Sequence, residues 1–166
     1  MPTTYTKIAS TTLSSTSSSV TFSSIPQTFT DLVLVLDFVG STTFLNTQTY
    51  FNNDTTNGNY SVQYLFGQSA EPRAARESRP NIGGNWSSSS YPLASRGQGV
   101  MNIFNYSSTT YKKTVVSRYG SDLETGLNTG TWLSTSAITS ITVESGNAGV
   151  FIGSSSVFTL YGILAA

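Results

Sequence analysis

From Tyr60 to Phe66 the chain reads Tyr-Ser-Val-Gln-Tyr-Leu-Phe, with aromatic or aliphatic side chains at Tyr60, Val62, Tyr64 and Phe66. An extended backbone turns successive side chains to opposite faces, so this alternation predicts a strand with one face buried. Runs of the same kind recur at intervals of roughly ten to twenty residues along the chain. Nowhere do apolar residues keep a helical spacing over three turns, so helix content is expected to be close to nil. The predicted strands are Tyr5–Ala9, Val20–Phe22, Leu32–Leu36, Thr47–Asn52, Tyr60–Phe66, Val100–Tyr106, Lys112–Tyr119, Leu127–Leu133, Ile138–Glu144 and Val157–Ile163. Leu32-Val33-Leu34-Val35-Leu36 is apolar on both faces, which fits a central strand covered on both sides or one that meets a neighbouring subunit. Nine or ten strands without helices leave a sandwich or a barrel.

The connections carry their own signals. Thr47–Asn52 and Tyr60–Phe66 are predicted to form a hairpin, with Asn57-Gly58 supplying the left-handed backbone of its turn. Residues Gln68 to Gln98 contain Pro72, Pro80 and Pro92 and a local concentration of charge. They are expected to form an irregular excursion with at most one short strand, near Ile82–Trp86, in a region suited to meeting partners. The serine clusters at Ser14–Ser19 and Ser87–Ser90 are flanked by strand-like runs and are expected to be loops within one domain spanning residues 1–166.

The polar half of this pattern is unusual. Only 10% of the 166 residues are charged, against about 25% in ordinary soluble proteins, and Ser and Thr together make up about a third of the chain. Thr is at home in strands, so a hydroxyl-rich β surface follows. Eight basic residues balance eight acidic ones, which argues against partnership with nucleic acid or an anionic membrane. With no signal-like or spanning apolar segment near Met1–Lys7 or elsewhere, neither secretion by a signal peptide nor a membrane span is expected.

The chain has no His and no Cys. That removes the commonest general base, the Ser-His-Asp and Cys-His arrangements, and thiolate or imidazole metal sites. What remains is carboxylate chemistry, where Asp122 and Glu124 stand two residues apart on one side of an extended chain, as a glycosidase pair could. The alternative for them is a polar turn after Arg118-Tyr119-Gly120. Asn52 to Asn59 aligns several oxygen ligands but lacks the acid density and distal bidentate Glu of a calcium loop, so it reads as a turn. Gly83-Gly84 and Gly97-Gln98-Gly99 do not open a helix after a strand, so no phosphate loop is expected. The Asn-x-Ser/Thr triplets at Asn53, Asn59, Asn85 and Asn105 are what this composition produces by chance. No catalytic residue, metal ligand or cofactor is therefore assigned. Arg73, Arg76 and Arg79 recur every third residue and are the candidate partner-binding residues, as a solvated loop or as an arm whose guanidinium groups pair with carboxylates on another chain. Trp86, Tyr91 and Trp132 are candidate anchors or sugar platforms, or core.

Several stretches together resemble a family of small virion proteins of tailed phages. They are Ser19 to Leu32 (Ser-Val-Thr-Phe-Ser-Ser-Ile-Pro-Gln-Thr-Phe-Thr-Asp-Leu), Phe51-Asn52-Asn53-Asp54 with Asn59-Tyr60, Ile103-Phe104-Asn105-Tyr106, Ile138-Thr139-Ser140-Ile141-Thr142, and Phe158-Thr159-Leu160-Tyr161-Gly162-Ile163. The resemblance runs almost end to end. It implies a jelly-roll-like antiparallel β-sandwich without enzymatic activity, serving as a head decoration (cement) protein or as a tail-fibre module. For the cement role it implies a homo-oligomer, a trimer by preference, on the capsid surface of a virion assembled in the host cytoplasm, with the major capsid protein as partner. A receptor-binding or carbohydrate-binding fibre module is the alternative, and a carbohydrate-active enzyme the third.

Overall fold

The computed structural model of the chain describes residues 4–40, 44–45, 47–68, 71–79, 81–82, 88–89, 96–121, 124–146, 151 and 156–164. These form thirteen strands and no helix: β1 (Tyr5–Thr12), β2 (Ser19–Phe22), β3 (Asp31–Val39), β4 (Phe44–Leu45), β5 (Thr47–Phe51), β6 (Tyr60–Gln68), β7 (Glu71–Arg79), β8 (Ser88–Ser89), β9 (Arg96–Phe104), β10 (Lys113–Gly120), β11 (Glu124–Trp132), β12 (Ile141–Ser145) and β13 (Val157–Ile163). An eight-stranded sheet runs β1-β13-β3-β9-β10-β11-β6-β7, a three-stranded sheet runs β2-β12-β5, and β4 pairs with β8 alone. Every pairing is antiparallel. The fold is the all-β sandwich expected, with β4, β7 and β8 beyond the predicted strands.

Two-residue periodicity builds the core. Leu32, Leu34, Leu36 and Phe38 of β3 face inward beside Met101 and Ile103 of β9, Phe158 and Leu160 of β13, and Val62 of β6. Val20 and Phe22, Phe51, and Ile141 and Val143 from the small sheet close on them, so one buried cluster spans both layers. Rings fill its ends: Phe151 stands edge-on to Phe38 at 5.3 Å and to Phe158 at 5.0 Å, while Trp132 meets Phe51 at 5.7 Å and stacks on Tyr60 at 6.4 Å. Gly97 of β9 lies under the Phe38 ring, where a Cβ would come within 2.7 Å. That is why β9 has glycine on its inward phase.

Two expectations change. Thr47–Asn52 and Tyr60–Phe66 are not a hairpin: β5 pairs with β12 in the small sheet, and β6 pairs with β11 and β7 in the large one. Asn52 and Asn53 both have positive φ (52° and 56°), which bends the chain away before Gly58 (φ 93°) turns it into β6. The connection is a crossing between layers. The second change concerns the stretch expected to be irregular. Residues 71–79 form a nine-residue edge strand in continuous register with β6, from Gln68↔Glu71 to Tyr60↔Arg79, and residues 96–98 belong to β9. The short strand expected near Ile82–Trp86 falls largely on residues 83–87, outside the described residues.

Candidate interaction surface

The carboxylates are mostly engaged by the fold. Glu124, at the start of β11, is buried and accepts a 2.6 Å hydrogen bond from the Tyr119 hydroxyl across the β10–β11 turn. Burial first, and Glu124 second, push the Tyr119 phenol far above its ordinary pKa, so it remains a donor. Asp122, the other member of the carboxylate pair, lies outside the described residues. Asp37 pairs with Arg96 at 2.6 Å, and Asp31 accepts from the Asn105 backbone N–H at 2.8 Å. Among the described residues, no group of three or more His, Cys, Asp or Glu lies close enough to hold a metal ion.

The Asn52–Asn59 run turns its oxygens toward protein donors. Asn52 Oδ1 accepts from the Thr139 and Ser140 backbone N–H groups at 2.8 and 3.1 Å, while its Nδ2 donates to the Ala137 carbonyl. Asp54 accepts from the indole of Trp132 (2.8 Å), from Asn59 Nδ2 and from the Thr56 N–H. Burial alone would raise the Asp54 carboxyl, but these donors together hold it below its ordinary value of 3.8. A depressed pKa adds stability that is complete above the unfolded value and is lost as pH falls through the folded one. Asp54→Asn is therefore expected to cost about 1–3 kcal/mol at pH 7, and its deficit against the wild type should shrink below pH 3.8. Paired urea melts across that range measure it, and a pH-independent deficit would contradict it.

The large sheet is different on its side away from the core. The outward positions of β10, β11, β6 and β7 are exposed or half-exposed, from Thr114 and Arg118 through Thr129 and Gln63 to Ala74 and Arg76. Most are polar, as a solvated face requires. Leu65 of β6 and Leu127 of β11 are not: they sit directly opposite one another, 53% and 45% exposed, with Ala74 beside Leu65 and Arg118 beside Leu127. They line a groove of about 510 Å³ shared with Gln63, Ala74 and Arg76. A second hollow of about 560 Å³ adjoins it at Arg76 and reaches Lys112 and Thr131. A third, of about 380 Å³, continues from Leu65 and Leu127 toward Gly67 and Thr125. Arg76 and Arg118 have no ion-pair partner among the described residues.

The three candidate arginines do not share a face. Arg76, opposite Gln63, is on the free face, whereas Arg73 and Arg79, opposite Phe66 and Tyr60, occupy the other phase of the strand. Trp132 is a core residue, 2% exposed. Trp86, Tyr91 and Gly83-Gly84 lie outside the described residues, and Gly97-Gln98-Gly99 is part of β9. Leu65, Leu127 and Arg118 were not singled out from the sequence. A signal for the leucines exists, since Leu65 falls on the polar phase of a strand whose aromatics hold the other one.

The chain matches no protein-family model and no curated protein. Among solved structures, it is similar to the marine PL-14 alginate lyase from Aplysia kurodai at 10% identity, over 86% of this chain and 72% of that one, with a TM-score of 0.30. A likeness of that size transfers neither fold nor activity.

Proposed function

We propose that this protein is a non-catalytic structural protein of a tailed-phage particle. In this reading it decorates the outer surface of the assembled major capsid lattice as a homo-oligomer, a trimer by preference. The supporting observation is the free face of the eight-stranded sheet, which keeps two facing leucines exposed between arginines that have no ionic partner among the described residues. Apolar side chains left in water beside unpaired cations suit a surface that another protein covers. A ligand that binds the assembled lattice and not its free subunits stabilises the lattice by mass action, and repetition over a shell multiplies the effect.

Purified protein mixed with heads that lack it should co-sediment with them, less strongly at high salt. Arg76→Ala, at an exposed strand position, should leave the melting curve close to that of the wild type. If Arg76 meets a desolvated carboxylate it should weaken attachment at least roughly tenfold, because truncating one partner of such a pair costs about 2–5 kcal/mol. Protein that ignores heads and binds host cells would replace the capsid reading with that of a fibre or receptor-binding module. Glycan hydrolysis abolished by Glu124→Gln would replace both with an enzyme.

A further inference from the structure

The three hollows on the free face are one channel, because Leu65 and Leu127 line two of them and Arg76 lines two. Its axis follows β6, from Gly67 at one end to Ser61 at the other. Six residue steps of strand give a length of about 20 Å, which accommodates roughly six residues of an extended chain. The floor at its middle is aliphatic, formed by Leu65, Leu127 and Ala74. Cations flank it: Arg76 lines two of the hollows on the β7 side, Lys112 lines the far end, and Arg118 stands beside Leu127 on β10, just outside the lining.

We propose that this channel is a docking site for an extended acidic segment of a partner protein, which seats an aliphatic or aromatic side chain on Leu65 and Leu127 and sets carboxylates against Arg76 and Arg118. Charge complementarity selects the acidic partner: among the described residues the one acid bordering the channel is Glu77, which lies opposite inward-facing Val62 on the other phase of β7 and whose carboxylate accepts a 2.5 Å hydrogen bond from the Tyr64 hydroxyl there. The aliphatic floor favours peptide over sugar, since sugars are held by aromatic faces and the aromatic residues that border the hollows, Tyr64, Phe66 and Tyr119, pack with the core on the inward phase of β6 and β10. The face, and not the neighbouring edge, is the site, because β7 carries Pro72 and charges at Arg73, Arg76 and Glu77, features that discourage strand addition. The proposal deepens the particle reading by giving the chemistry of the capsid segment, but the channel does not depend on where the protein resides.

The test is a random-peptide display selection on the full chain, followed by binding of a synthetic copy of the recovered peptide. Recovered peptides should place Asp or Glu beside an apolar residue. Binding should weaken with salt, and Leu127→Lys and Arg118→Glu should each lower it at least roughly tenfold. Leu65→Thr, which suits a strand, is the additional variant should Leu127→Lys change the melting curve. A copy with Lys at every acidic position should not bind. No enrichment, enrichment of basic or uncharged sequences, or peptides that bind all variants alike would overturn the proposal. So would binding of an oligouronate where no peptide is recovered. A variant that loses the peptide yet decorates heads normally would keep the channel and place the capsid contact elsewhere. Recovered acidic peptides with no attachment to heads would keep the channel and remove the capsid as its partner.

Discussion

A chain ending at Val157 is expected to give no cooperative melt. Strand β13 is bonded on both sides, to β1 from Tyr5↔Ile163 to Thr12↔Val157 and to β3 from Asp31↔Ile163 to Asp37↔Val157. Phe158 and Leu160 are fully buried, each contributing about 1.5–3 kcal/mol by burial. Their removal comes with the loss of both ladders, which leaves β1 without its neighbour and exposes the edge of the most apolar strand. Against a total of about 5–15 kcal/mol, the sum of these losses exceeds what such a domain can absorb. Circular dichroism and gel filtration decide the matter. A soluble, monodisperse product with a sigmoidal transition would show β13 to be dispensable.

Lys113→Met is expected to cost about 3–5 kcal/mol, three hydrogen bonds from a charged donor at about 1.5–3 kcal/mol each, offset in part by the burial penalty of the ammonium. The Lys113 side chain is fully buried at the start of β10, and its Nζ donates to the carbonyls of Ser108 (2.5 Å), Tyr111 (2.9 Å) and Thr135 (2.7 Å). Burial draws the ammonium below its ordinary pKa, yet all three of its protons meet an acceptor. Methionine preserves the stem and the packing but leaves three carbonyls short of a donor. This group ties the loop at 105–112 to the one at 133–137, so faster amide exchange should be confined largely to them at low denaturant. A variant as stable as the wild type would mean that water replaces the ammonium at no cost.

The alternating strands were legible because burial on one face imposes period two. Leu32–Leu36 was read as central, and β3 does lie between β13 and β9, with Val33 buried and Val35 half-buried on its second face. Strand β7 was not legible. Glu-Pro-Arg-Ala-Ala-Arg-Glu-Ser-Arg has no apolar phase because an edge strand beyond the core has little to bury, and pairing with β6 alone fixes it. The same fact divides the three arginines between the two phases of β7, since a spacing of three alternates faces in a strand. The false hairpin had a different cause: the Gly58 signal was real, but the pair of left-handed asparagines before it redirects the chain. The channel was hidden for a topological reason, because Leu65 and Leu127 are neighbours only through the β6–β11 pairing.

The register of the sheets also sets an order in time. Strands β9, β10 and β11 form a meander, and β6 folds back on β7, so much of the channel is built from contacts that close over short turns. The opposite flank is built from distant ones: Ser10 meets Thr159 across 149 positions, and Thr21 meets Thr142 across 121. Closing such loops is slow, because the chain's entropy is lost before the contacts repay it. In vectorial synthesis β1 emerges long before its partner β13 and can pair along its full length only once Ile163 has emerged. Its sequence, Tyr-Thr-Lys-Ile-Ala-Ser-Thr-Thr, is mostly polar, so it can stay solvated while unpaired. On this topology β1 is expected to be the latch that closes last, and the hydroxyls of the finished surface keep it solvated until then.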